Sequence, residues 1–197
     1  MLITFEGIDG SGKSSLSKLV FTSLLQLGKK GLHTSEPTSS YLGSTVREIV
    51  LHSTEKLSPI QQALLFIADR ISHVSWMKEQ IKANEFIICD RYIHSTLAYQ
   101  GIDEKTFQTV YTIHQLCLKD FKPDIVFLLD IDPIVSLSRL ENDKKDNFEK
   151  VEFLQKVRLR YLKLAKEEPD TIFVLDGTLP LDQLEELVRH VLLEKSF

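Results

Sequence analysis

Apolar residues along this chain alternate between two spacings. Five short runs rich in Ile, Val, Phe and Leu, at 2–5, 32–34 (the weakest), 86–89, 125–129 and 172–175, predict strands buried on both faces. Between them, apolar residues recur every three to four positions, as in Leu16, Leu19, Val20, Leu24 and Leu27, or Leu184, Leu187, Val188, Val191 and Leu192, which predicts amphipathic helices. Buried strands alternating with helices imply an α/β fold, a mostly parallel sheet sandwiched by helices. No internal repeat, low-complexity tract or Pro/Gly/Ser-rich linker divides residues 1–197, so one domain is expected. One stretch breaks the pattern. In 141–150, "ENDKKDNFEK", every residue but Phe148 is charged or asparagine, which reads as a solvated loop or a mobile flap.

Composition narrows the function by exclusion. A formal net charge of −4 argues against a broad nucleic-acid-binding surface, so an anionic ligand must be caught by a local cluster of positive groups. No apolar run approaches the roughly 20 residues of a membrane span, and the first strand lacks the basic flank and cleavage site of a signal peptide. Cys89 and Cys117 are too few for a disulfide framework or a four-ligand zinc site and are expected as buried small hydrophobes. A reducing cytoplasm is the expected location.

Residues 7–14, "GIDGSGKS", match G-x-x-x-x-G-K-[ST] at every fixed position, directly after a predicted strand and opening a predicted helix near Lys13. Glycines there admit backbone torsions and close approach that a Cβ forbids, so successive N–H groups can face phosphate oxygens, aided by the helix N-terminus. Gly7, Ile8, Asp9, Gly10, Ser11, Gly12, Lys13, Ser14 and Ser15 form the expected ATP-binding loop. Lys13 would neutralise the β- and γ-phosphates, and Ser14 would ligate Mg²⁺. The motif leaves the phosphoryl acceptor open, because GTPases, ATPases and small-molecule kinases share it. An N-K-x-D guanine-reading segment is absent from the sequence. "FIICD" at 86–90 ends in Asp90 and is followed at once by Arg91, placing a cation at the carboxyl edge of the sheet, where open α/β folds bind ligands.

Four segments, "FEGIDGSGKSS" (5–15), "LLFIADR" (64–70), "DRYIHSTLAYQG" (90–101) and "KPDIVFLLDIDP" (122–133), together resemble the thymidylate kinase family, which phosphorylates dTMP with MgATP. The resemblance implies a P-loop fold with a five-stranded parallel sheet of order 2-3-1-4-5, an acceptor-binding segment at about 36–70 and a short lid at about 139–150. It implies that Asp9 takes the deoxyribose 3′-OH, that Phe66 stacks on thymine and Arg70 bonds its O4, and that Glu36 and Arg47 belong to the acceptor segment. Asp90 would help hold Mg²⁺, and Arg91 would bridge donor and acceptor phosphates. Ser95, Thr96 and Gln100 would line the base pocket, while Tyr99 would leave no room for a 2′-OH. A homodimer formed by packed helices is also implied, with apolar residues of 107–118 serving either that contact or the core.

Two departures stand out. The family's "REPGG" is "SEPTSS" here (35–40), so an arginine and two glycines are missing. Asn147 occupies the place of a lid arginine, and Gly10 rather than an arginine follows Asp9. An asparagine carries no charge to offset that on a transferring phosphoryl group, so Arg139 is expected to supply it first, with Lys144 or Lys145 as auxiliaries. The rival reading is a nucleotide-binding P-loop protein with weak or lost kinase activity.

Overall fold

In the computed structural model, which describes residues 1–52, 56–118, 120–140, 147–195 and 197, five parallel strands form one sheet. In chain order these are β1 (Leu2–Glu6), β2 (Gly31–Ser35), β3 (Phe86–Asp90), β4 (Ile125–Asp130) and β5 (Ile172–Asp176), hydrogen-bonded in the order β2-β3-β1-β4-β5. The central strands are buried almost throughout, as their unbroken apolar composition demands. The weakest expected strand is β2, an edge strand of intermediate burial.

Among the described residues lie eight helices: α1 (Lys13–Gln26), α2 (Tyr41–His52), α3 (Pro59–Gln80), α4 (Ile93–Tyr99), α5 (Glu104–Leu118), α6 (Pro133–Ser138), α7 (Asn147–Glu167) and α8 (Leu181–Glu194). On one face of the sheet, Phe5, Phe86 and Phe127 meet Leu16 and Val20 of α1 and Leu184 and Val188 of α8. On the other, Val126 and Leu128 meet Leu97 of α4, Phe107 of α5 and Val157 and Leu164 of α7. The longest helix, α3, opens on a capping box in which Ser58 and Gln61 bond each other's backbone N–H, with Pro59 at the first helical position.

The cysteine expectation holds for one residue only. Cys89 is buried in β3, whereas Cys117 is exposed, because α5 turns Val110, His114 and Leu118 inward and leaves residue 117 on the outer side. The apolar residues of 107–118 divide likewise: Phe107, Val110 and Leu118 are core, and Tyr111 and Leu116 face out.

The register fixes the working edge. Phe5 pairs with Asp90 on one side and with Phe127 on the other, so the carboxyl ends of β1 and β3 finish side by side. Glu6, Gly7, Asp90 and Arg91 therefore leave the sheet at one level.

Candidate active site

The loop from Gly7 to Gly12 turns the chain from β1 into α1 through three positive-φ glycines. Gly7 has φ 142°, and a Cβ on it would stand 2.7 Å from the Leu129 carbonyl oxygen. Gly10 has φ 78°, and its Cβ would stand 2.3 Å from the Ser136 carbonyl oxygen. No arginine fits there, which removes the loop itself as a source of a further cation. No side chain caps α1 at Gly12, leaving its first N–H groups to an anion. Lys13 is buried and its Nζ lies 3.3 Å from the Ile8 carbonyl oxygen. Burial first, then the neighbouring Arg91 guanidinium, lower its pKa to about 8.

At the end of β3, Asp90 accepts a hydrogen bond from the Ser14 hydroxyl through Oδ2, while its buried Oδ1 has no partner among the described residues. A desolvated carboxylate oxygen beside a hydroxyl at a phosphate-binding loop is a donor set suited to Mg²⁺, so the two residues fit that ion. The next residue, Arg91, has φ 69°, a conformation costing a non-glycine residue about 1–2 kcal/mol. Its N–H donates to the Phe5 carbonyl, 3.0 Å, and the Arg91 carbonyl accepts from the Cys89 thiol, 3.0 Å. So held, the guanidinium reaches the Gly7 carbonyl, the Ser95 hydroxyl and the Asp9 carboxylate.

Two cavities share this wall. The larger, about 950 Å³, includes Lys13, Ser14, Asp90 and the outer side of β2 and α3 as far as Trp76. The smaller, about 570 Å³, is lined by all ten residues expected to bind the acceptor: Asp9, Glu36, Arg47, Phe66, Arg70, Arg91, Ser95, Thr96, Tyr99 and Gln100. Asp9, Glu36, Arg47, Asp69 and Arg91 border both. Phe66 is half-buried on α3, one turn before Arg70.

Arg70 is 2% exposed, and its fork is almost fully committed. Nε donates to Glu36 (2.5 Å), Nη1 to Thr96 (2.9 Å) and to His114 (2.7 Å), and Nη2 to the Tyr92 carbonyl (3.0 Å). Glu36 is held on its other oxygen by His73. Burial, and then Arg70, push His114 down to about 3, so its Nε2 stays an acceptor. Ser95 lines the cavity, but its hydroxyl donates to Glu6 and accepts from Arg91, so it serves the guanidinium rather than a base.

The loop that lacks two glycines is rebuilt by a buried carboxylate. Asp69 accepts from the Thr38 N–H (2.7 Å) and the Thr38 hydroxyl (2.6 Å). Arg47 donates to the Pro37 carbonyl from α2, closing the same loop.

Some expected residues stand apart. Arg139 at the end of α6 donates to the Gly177 carbonyl (3.0 Å) and lines neither cavity. The Ile8 side chain belongs to the core. Lys144 and Lys145 lie outside the described residues, as do residues 141–146 of the expected lid.

Other functional residues carried no signal that sequence reading used. Glu6, fully buried between strand and loop, accepts from the N–H groups of Tyr92 and Ser95 and from the Ser95 and Tyr161 hydroxyls. Gln62, Phe153 and Asp69 line the smaller cavity. A carboxylate ending an otherwise apolar strand was the one visible hint, at Glu6.

Comparison with known proteins gives concordant matches. The family model described as thymidylate kinase matches residues 5–188. A thymidylate kinase of Thermosipho africanus is 37% identical over 195 residues, covering 97% of this chain and 96% of that protein. A probable thymidylate kinase of Methanocaldococcus jannaschii is 44% identical, covering 90% and 87%. The crystal structure of thymidylate kinase from Ehrlichia chaffeensis superimposes with a TM-score of 0.78 at 30% identity, covering 98% of this chain and 97% of that one.

Proposed function

The chain belongs to the thymidylate kinase family, and from that premise we propose that its two adjoining cavities bring the phosphate ends of ATP and dTMP together around Arg91. The enzyme transfers the γ-phosphoryl group of ATP to dTMP, giving dTDP and ADP, a step toward dTTP. The observation that carries the site assignment is the shared wall: the cavity holding all ten acceptor candidates meets the cavity holding Lys13 and Ser14 at Asp9 and Arg91.

The acceptor oxygen belongs to a phosphate already ionised at pH 7, so no strong base is required and transfer is direct and in line. Lys13 and Arg91 offset charge on the equatorial oxygens, while Phe66, Arg70, Thr96 and Gln100 hold the base and Asp9 the 3′-OH. Tyr99 excludes a 2′-OH by bulk. Its hydroxyl accepts from the Asp9 N–H (3.0 Å), which keeps the ring in place. Ser14 and Asp90 would hold Mg²⁺, which would supply positive charge against that of the ATP phosphates. Arg139 remains the first source of the cation missing at Asn147, and to serve it must leave the Gly177 carbonyl; Lys144 and Lys145 are the auxiliaries. The chain acts as one kinase domain, with an acceptor segment at about 36–70 and a lid at about 139–150 that excludes water from the transferring group.

Two exposed apolar pairs, Leu64 and Ile71 on α3 and Tyr111 and Leu116 on α5, support a homodimer through these packed helices. Among the described residues no helix is long and apolar enough to cross a membrane, and the cytoplasm is the location we assign.

Coupled measurement of ADP release with and without dTMP tests the assignment. Release that requires both dTMP and Mg²⁺ is expected, whereas acceptor-independent or absent release would favour a nucleotide-binding protein without kinase activity.

A further inference from the structure

Two glutamines face each other on the wall of the smaller cavity, Gln62 from α3 and Gln100 at the end of α4. The direction of their hydrogen bonds is fixed from one end. The Leu57 carbonyl can only accept, so the Gln62 atom 3.1 Å from it is the Nε2 amide. Gln62 Oε1 is thereby turned to Gln100 and can only accept, so Gln100 presents its own Nε2 at 3.2 Å. With Nε2 pinned on Gln62, Gln100 keeps its Oε1 acceptor on the other side of the amide beside one further N–H, and no hydrogen bond from the described residues reaches Oε1. On the same wall Arg70 spends four N–H groups on Glu36, Thr96, His114 and the Tyr92 carbonyl, and its remaining N–H is a donor.

We propose that Gln62 determines base specificity: by fixing the Gln100 amide it makes the cavity offer an acceptor beside the Arg70 donor. That pair matches a base with a carbonyl next to a ring N–H, as in thymine or uracil. It opposes cytosine, whose exocyclic amine and unprotonated ring nitrogen have the reverse polarity. Gln62 touches no reacting atom and acts through Gln100, so it is a positioning residue. The inference rests on the acceptor nucleotide occupying this cavity.

The test is the ratio of kcat/KM for dTMP to that for dCMP, measured on the full chain and three variants of matched melting temperature. Gln62→Met fills similar volume with no hydrogen bond and frees Gln100 to turn over; the ratio is expected to fall about 10-fold or more, mainly through the KM for dTMP. Gln62→Glu can still accept from Gln100 and is expected to keep the ratio within about 3-fold. Gln62→Lys can only donate, forces Gln100 over, and is expected to lower the ratio below that of the Met variant. Equal losses on both substrates in the Met and Lys variants, or an unchanged ratio, overturn the role of Gln62 while leaving dTMP kinase activity in place. If the Met variant does not fold, the order of the Glu and Lys variants decides. A wild-type chain that phosphorylates neither nucleotide overturns both this inference and the site assignment beneath it.

Discussion

Arg91 and Asp9, 82 residues apart in the chain, hold each other at the junction of the two cavities, Nη2 of the guanidinium donating to Oδ1 of the carboxylate. Both partners are expected to face substrate, so without substrate the pair occupies the functional groups that phosphate and ribose will claim. Asp9 is largely exposed, and a pair of this kind contributes only about 0–1 kcal/mol to folding, so substrates separate it at small cost.

Arg91 carries bidentate charge that a lysine cannot reproduce. Arg91→Lys is expected to lower kcat by about 10²-fold or more with little change in fold. Because residue 91 sits at φ 69°, Arg91→Gly should be about 1 kcal/mol more stable than Arg91→Ala in urea denaturation. Equal stabilities would remove the strain.

Lys13 sets a limit at alkaline pH. With its pKa near 8 in the free enzyme, it loses the charge that ATP needs as pH rises through 8. The kcat/KM for ATP is expected to fall above pH 8, while kcat at saturating ATP stays level further up, since bound phosphates restore the proton. Parallel profiles would show that another group titrates.

Glu6 offers a purely structural test. Its two oxygens serve four donors in a fully buried place, and an amide would set its own N–H₂ against some of them. Glu6→Gln should cost about 1–3 kcal/mol in urea denaturation and lower kcat through Ser95 and Arg91. Wild-type stability in this variant would contradict the donor count.

His114 links acid stability to the smaller cavity through Arg70. Its folded pKa, about 3, lies below the ordinary 6.5, so as pH falls below 6.5 the unfolded chain binds a proton that the folded one refuses. The stability contributed is full above 6.5 and is lost toward pH 3, at up to about 1.4 kcal/mol per pH unit. Stability measured against pH for wild type and His114→Asn should differ by that slope, and identical slopes would remove His114 from the account.

The lid lysines are tested by turnover. If Lys144 and Lys145 replace the charge missing at Asn147, the double substitution to alanine should lower kcat about 10-fold or more, with the KM for dTMP little changed. A small effect would leave Arg139 as the source, and Arg139→Ala would then show the loss.

By itself the sequence determined the strand–helix alternation and the phosphate-binding loop, while the ten residues that line the smaller cavity came from its resemblance to the family. The first two are written in local spacing, in the apolar periodicity and in the glycines before Lys13. It could state that two glycines were missing from 35–40, but not that Asp69 would bond Thr38 in their place. Only the tertiary structure decided that Arg70 is buried in a committed fork, that Ser95 serves Arg91, that Arg139 rests on Gly177, and that Tyr161 completes the shell of Glu6 from 155 residues away. The reason is physical. Backbone periodicity follows from neighbours in the chain, whereas the partners of a buried polar group are whichever donors the packed helices bring within reach, and that depends on every element at once.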